Sequence, residues 1–393
     1  MAPRGGTGDP RTSSHGRGAA RGHQLRGGAG RRGLPHGAAD RRAPDGGRHW
    51  YGERAHGNLE LAPGGRCPRP RRAGGARVRI AAAWAALFVA GCRAPTIPAA
   101  ARYPAGTPLE ARYVRVEGSR IRYVDVGRGT PVIFIHGFAA SIYAWRKNLV
   151  PVESAGFRVL AFDNRGFGFS DKPAHGYSNA DYARLLVAFM DSLGLPDAVL
   201  VGHSMGGAIA AEVALAYPKR VRGLVLIDAS GFGRRSWLLL RLAAWPVVGP
   251  LISGLRGRWI TARALRSAYA DPRKVPSTDV DQYYAPVAEP DFGRALRGVL
   301  REFRFAALSG RVSAIETPTL VLWGDHDPWI PPSVGMALAA ELPRVAFVLV
   351  QRAGHVPQEE VPDEVNRLVI AFLRQGLARV PGDLALARER ETP

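Results

Sequence analysis

LVGHSMGG, residues 200–207, sets a serine between glycines, after a run of apolar β-formers and ahead of an alanine-rich stretch. A serine at such a junction is most often a helix cap, its hydroxyl accepting from an orphan backbone N–H. The pattern Gly202-x-Ser204-x-Gly206 admits another reading. On a strand, turn and helix, the glycines let the backbone pass where a Cβ would clash. The turn then lifts the serine hydroxyl above the sheet as a nucleophile elbow, and the helix start favours negative charge developing beside it. The surrounding chain must say whether the strand, the helix, a base and an acid are there.

Six continuous apolar runs have the character of strands buried on both faces of a parallel sheet. They are PVIFIHG (131–137), FRVLAFD (157–163), AVLVGH (198–203), VRGLVLIDA (221–229), TPTLVLWGD (317–325) and VAFVLVQ (345–351). Helical patterns such as ADYARLLVAFMDSLG (180–194) and DEVNRLVIAFLRQG (363–376) separate them. This alternation predicts the α/β class, with a mainly parallel, doubly wound sheet. ARYVRVEGSRIRYVDVG (111–127) alternates apolar and polar residues around Glu117, Gly118 and Ser119, which predicts a hairpin and an antiparallel edge. Between Asp228 and Thr317 no convincing parallel strand occurs. That interval opens with SWLLLRLAAWPVVGPLISGL (236–255), and its prolines and glycines punctuate short helices. Residues 232–311 are therefore expected to form a helical cap over a site at the strand ends. Trp237, Leu239, Leu242 and Trp245 in it read equally as helix core or as a face turned to substrate or membrane.

A serine hydroxyl is a weak nucleophile unless a base takes its proton and an acid orients the base. LVLWGDHDPWIP (320–331) offers Asp325 and Asp327 at a strand end, and QRAGHVP (351–357) offers His355 in the loop after the next strand. The order serine, acid, histidine is the one expected on this kind of sheet.

With HGFAAS (136–141), DNRGFGFSDKP (163–173), GHSMGG, GDHD (324–327) and GH (354–355), residues 111–378 resemble the α/β-hydrolase superfamily, in its single-domain branch with a helical cap. The resemblance implies Ser204 as nucleophile, Asp327 as triad acid and His355 as base. It implies backbone N–H groups of Phe138 and Met205 as the oxyanion hole, with His136, Gly137, Gly202, Gly206 and Arg165 in support. Asp325 is the rival acid; Asp327 is preferred because the family sets its acid three residues after the strand-ending glycine, here Gly324. His136 and His203 are read as loop anchors, and Arg165 as pairing with Asp163 or holding the loop below the site. His326 lies between two aspartates, but no further ligands stand at metal-site spacing, so neither metal nor cofactor is expected.

The function implied is hydrolysis of carboxylic esters of lipophilic acyl groups, small-molecule substrates, through an acyl-enzyme. Carbon–carbon bond hydrolases of ring-cleavage products and cofactor-free haloperoxidases share the triad and remain alternatives. Haloalkane dehalogenases and epoxide hydrolases carry aspartate at the elbow, which Ser204 argues against. A lipoprotein that only binds an apolar ligand is the non-catalytic alternative, opposed by the nucleophile, acid, base and glycines occurring together.

The formal charge of +21 would suggest an acidic partner, but it is unevenly placed. Residues 1–77 hold 16 Arg against 5 acidic residues and contain no Val, Ile, Phe or Lys. Such a composition cannot bury enough apolar surface to offset chain entropy, so the segment is expected to be disordered. Without aromatic interleaving or lysine it is not read as a nucleic-acid arm. His15, His23, His36, His49 and His56 lack metal-ligand spacing. RVRIAAAWAALFVAGCRAP (77–95) follows: arginines, an apolar run too short to span a bilayer, and small residues ending at Cys92. VAGC resembles the lipobox of bacterial lipoproteins. Residues 78–91 are accordingly expected to be a signal peptide, residues 1–77 not normally translated, and Cys92 a lipid anchor to the cell envelope ahead of a linker (92–110). A cytoplasmic protein is the alternative. Residues 379–393 read as a polar tail.

Overall fold

The apolar runs become strands because each alternates its side chains between two covered faces. In the computed structural model, which describes residues 109–232, 257–376 and 386–389, nine strands form one sheet in the order β1-β2-β4-β3-β5-β6-β7-β8-β9. The strands are β1 (Arg112–Val116), β2 (Ser119–Val126), β3 (Pro131–Ile135), β4 (Arg158–Phe162), β5 (Ala198–His203), β6 (Val221–Ile227), β7 (Thr319–Gly324), β8 (Arg344–Val350) and β9 (Leu386–Glu389). β4, β3, β5, β6, β7 and β8 run parallel to their neighbours in that series. The hairpin β1–β2 adds the expected antiparallel edge through β4, and β9 pairs antiparallel with β8 at the other edge, within the stretch read as a polar tail.

Ile133 and Ile135 of β3, Leu200 of β5 and Leu224 and Leu226 of β6 enter one core layer. Val132 and Phe134, Val199 and Val201, and Val225 and Ile227 from the same strands enter the opposite one. The first layer is closed by α2 (Asn179–Ser192) and α3 (Met205–Ala216), the second by α1 (Leu149–Ser154) and α9 (Pro362–Gln375). α2 starts at a capping box in which Ser178 and Asp181 satisfy each other's backbone donors. α3 is apolar on nearly every side and correspondingly buried.

Between β6 and β7 the described residues form α4 (Arg258–Ala268), α5 (Ser277–Val287) and α6 (Phe292–Glu302), in the interval expected to be helical. α7 (Pro332–Glu341) follows β7, and the single-turn α8 (Pro357–Glu360) follows β8. The expected signal peptide, Cys92, most of the linker and the apolar opening of the cap, with Trp237, Leu239, Leu242 and Trp245, lie outside the described residues. No described helix is long and apolar enough to cross a membrane.

The chain passes outward from β3 to β4 and then returns to β5 on the other side of β3. That reversal leaves a crevice at the carboxyl ends of β3 and β5, the usual place for a site on an open α/β sheet. Ile135 pairs with Gly202 there, so the loop after β3 and the turn after β5 lie side by side.

Candidate active site

Ser204 follows β5 with φ 51° and ψ −117°, a strained conformation for a residue with a side chain, and its hydroxyl does not cap the helix it precedes. The capping reading therefore gives way to the elbow. The turn is tight enough that a Cβ on Gly202 would stand 2.4 Å from the Gly206 carbonyl oxygen, and one on Gly206 2.0 Å from that of Ile135. Both glycines are required by this close approach. The Ser204 N–H donates to Ile227 O at 2.9 Å, and the Ser204 carbonyl accepts from Ser230 N–H at 2.9 Å, tying the turn to the end of β6.

His355 reaches the serine from the loop after β8. Its Nε2 lies 3.0 Å from Ser204 Oγ, and its Nδ1 lies 2.8 Å from Asp327 Oδ2 in the loop after β7. Asp327 Oδ1 accepts from the backbone N–H groups of Trp329 and Ile330 at 2.8 and 2.9 Å. All three side chains are buried. Burial works against the Asp327 charge, but the facing His355 and these donors hold its carboxyl below the usual carboxylate range. Asp325 is directed elsewhere: it pairs with His326 and accepts from Ala353 N–H at 3.1 Å. The structure thus brings Asp327, rather than Asp325, to His355.

Phe138 and Met205, the expected oxyanion pair, begin the stretches that flank Ser204. Among the described residues neither N–H donates to another backbone group. Gly137 beside them packs directly on the elbow, where a Cβ would stand 3.0 Å from His203 Nδ1 and 3.1 Å from Ser204 Cβ.

The two flanking histidines anchor loops. His136 Nε2 accepts from Asn164 N–H at 2.9 Å while its Nδ1–H donates to Gly137 O at 2.8 Å, and burial pushes its pKa down. His203 donates Nε2–H to the His355 carbonyl at 2.7 Å, with its ring 5.1 Å from that of His355. Burial, then the neighbouring His355, lowers the His203 pKa to about 3. A folded-state pKa below the unfolded value means that unfolding takes up a proton in acid, so stability is complete above pH 6.5 and is lost as pH falls toward 3. Between pH 6.5 and 5 this amounts to about 2 kcal/mol. His203→Gln should remove that part of the slope, as read by urea unfolding at the two pH values; an unchanged slope would mean that His203 is not neutral and buried.

Arg165 does not pair with Asp163. It binds the Gly176 carbonyl and faces Glu117 at 3.8 Å, while Arg122 takes Asp163 at 3.4 Å. Asp163 is needed where it lies because its oxygens accept from Ile142 N–H and Phe169 N–H, closing the loops after β3 and β4 over each other. Arg165 still supports that loop, from its far side.

Sequence reasoning missed two features. One is a buried ionic group in which Arg146 pairs with Asp279 of α5 and with Glu359 of α8, joined by the Tyr143, Tyr269 and Tyr283 hydroxyls. With the Ala270 and Asp271 N–H bonds to Glu360 and the His355 N–H bond to Ala268 O, it fastens residues 268–283 to the histidine loop. The other is Asp228, fully buried beside the triad. Its signal was a charged residue closing an apolar run, LVLID (224–228) being apolar up to that point.

The neighbourhood of Ser204 is aromatic. Phe138 lies 5.4 Å from Phe167 and 5.9 Å from Phe305; Phe167 reaches Phe292 of α6 at 6.3 Å, and Trp329 covers His355 at 4.9 Å. Such a lining suits an apolar group placed next to the reacting atom.

Strand, elbow, crevice and aligned side chains define a hydrolase built on an α/β sheet. Residues 130–362 match the alpha/beta hydrolase fold family, and the chain belongs to it. It is 30% identical over 295 residues to the 2-hydroxy-6-oxononadienedioate/2-hydroxy-6-oxononatrienedioate hydrolase of Burkholderia vietnamiensis, covering 67% of this chain and 96% of that protein. Among solved structures, a meta-cleavage product hydrolase from Pseudomonas fluorescens IP01 superposes with a TM-score of 0.60 at 27% identity, covering 67% of this chain and 97% of that one. A membrane phospholipase A superposes with a TM-score of 0.61 at 27% identity, covering 77% and 99%.

Proposed function

We propose that the protein is a serine hydrolase that cleaves a carbon–carbon bond beside a carbonyl in a ring-cleavage product. The serine-hydrolase part is carried by one observation, the continuous line from Ser204 Oγ through His355 to Asp327. Similarity to hydrolases of meta-cleavage products supports the choice of bond.

Ser204 Oγ attacks the carbonyl carbon while His355 Nε2 takes its proton, and Asp327 stabilises the imidazolium and holds the ring in the productive tautomer. The Phe138 and Met205 N–H groups receive the oxyanion, each worth roughly 3 kcal/mol to the transition state. His355 then returns its proton to the departing atom, and water hydrolyses the acyl-enzyme through the same groups in reverse. When the departing atom is carbon, the electron pair of the broken bond must pass into a conjugated carbonyl of the substrate. A ring-cleavage product with an extended enone meets that demand, and a simple ketone does not.

Ester hydrolysis is the second reading, favoured by the aromatic lining and by the likeness to a membrane phospholipase A. An ester needs no conjugated sink, because an alkoxide leaves as an alcohol once His355 protonates it. One assay separates the two: decay of a phenyl-substituted ring-cleavage dienoate beside release of p-nitrophenol from a short-to-long acyl ester series, with Ser204→Ala as control. Serine-dependent turnover of the dienoate is the expected result. Serine-dependent turnover of the esters alone would transfer the conclusion to the second reading, and turnover of neither by folded protein would contradict both.

A further inference from the structure

The sheet delivers a second carboxyl to the triad. Asp228 directly follows β6, is fully buried and has φ 43°, a left-handed backbone that costs energy for a residue with a side chain. It is fixed from two directions: its N–H donates to Leu322 O at 3.0 Å, and its Oδ1 accepts from Gly324 N–H at 2.9 Å. Ile227 before it and Ser230 after it hold the Ser204 backbone. Asp228 therefore stands between the nucleophile elbow and the loop that carries Asp327. One oxygen of Asp228, one of Asp327 and one ring nitrogen of His355 lie within 4.8 Å of one another. Among the described residues, Asp228 Oδ2 accepts a hydrogen bond from no donor.

Two carboxylates buried this close do not both ionise near neutral pH. Their donors decide which keeps the charge. Among the described residues, Asp327 accepts from His355, Trp329 and Ile330, whereas Asp228 accepts from Gly324 alone. Among the described residues, the titratable groups facing Asp228 are Asp327 from the loop after β7, His355 from the loop after β8 and Glu360 from α8. Burial, then the Asp327 charge, pushes the Asp228 carboxyl well above the usual carboxylate range.

We infer that Asp228 is a positioning residue that remains a neutral carboxylic acid at working pH, with its proton on Oδ2 facing Asp327, so that the pair presents a single negative charge to His355. The unpartnered oxygen then becomes a donor, and an apparently wasted polar atom acquires a role. One negative charge, rather than two, sets how readily His355 gives up the proton it takes from Ser204.

The inference rests on the serine-hydrolase reading only for its kinetic readout, so the test has a second arm. Infrared spectra of the parent at pH 8 should show a protonated buried carboxyl band that shifts on deuteration and is absent from Asp228→Asn. The rate at which a fluorophosphonate labels Ser204 is then followed against pH. Asp228→Asn is neutral and still a donor, and should leave the rate within about threefold and the acid limb within about 0.3 pH unit of the parent. Asp228→Leu loses the donor, and should slow labelling by about tenfold and move the acid limb upward. The inference is overturned by a parent lacking the infrared band, by an acid limb that falls about one pH unit in Asp228→Asn, or by Asp228→Leu behaving as Asp228→Asn. A parent that is never labelled would refute the serine-hydrolase reading, and the infrared arm would still decide the charge on Asp228.

Discussion

His355→Ala is expected to lower kcat/KM by about 10,000-fold or more while the protein stays folded, because the imidazole is the only group within reach of both Ser204 Oγ and Asp327 among the described side chains. Asp327→Asn should cost a comparable factor, since an amide in place of the carboxylate neither fixes the productive tautomer nor stabilises the imidazolium. The neighbouring Asp325→Asn is the internal control. Its carboxylate serves His326 and the Ala353 N–H, so activity should stay within about threefold. Steady-state kinetics of the three variants check this directly. A large loss in Asp325→Asn with little in Asp327→Asn would reverse the assignment of the acid.

Arg146→Ala carries the largest expected effect on stability. The Arg146 side chain is 7% exposed and lies between Asp279 and Glu359, which are 11% and 0% exposed. Removing it leaves two buried carboxylates facing each other, and breaking a buried ion pair from one side costs about 3–5 kcal/mol. Denaturant unfolding at neutral pH measures this, with thermal unfolding expected roughly 10 °C lower. The pair was not put there to gain stability: replacing all three charged groups by apolar residues of similar volume should recover much of the loss. What the group achieves is attachment, since Asp279 belongs to α5 and Glu359 lies four residues beyond His355. A loss under about 1 kcal/mol for Arg146→Ala would show that the carboxylates reach water.

What could be read from the sequence was what local pattern governs. Apolar runs such as PVIFI and AVLVGH are strands because both faces of a central parallel strand are covered, and nothing distant is needed to recognise them. The elbow was equally legible, since Gly202 answers a steric demand set within a few residues, by the Gly206 carbonyl, although Gly206 answers one set by Ile135 on β3. The choice of Asp327 over Asp325 came from family spacing; its structural cause is the turn after Gly324, which gives Asp327 the Trp329 and Ile330 donors. Contacts between distant segments were not legible. Arg122, rather than the adjacent-looking Arg165, meets Asp163 because β2 and the loop after β4 are neighbours in the sheet. Arg146 finds Asp279 across 133 residues, and no periodicity encodes that pairing. β9 escaped because its four residues, LARE, are too few and too polar to read as a strand, and only the free edge of β8 makes them one. Asp228 was visible as an oddity at the end of β6, but its meaning required knowing which carboxyl arrives from β7.

The most direct test of the account is a mass spectrum of the protein after brief exposure to a fluorophosphonate, with the modified peptide sequenced. The account predicts one adduct per chain, located on Ser204, abolished in Ser204→Ala and slowed in step with activity in His355→Ala. Labelling that persists unchanged in Ser204→Ala would contradict it, because the strained elbow would then not carry the nucleophile.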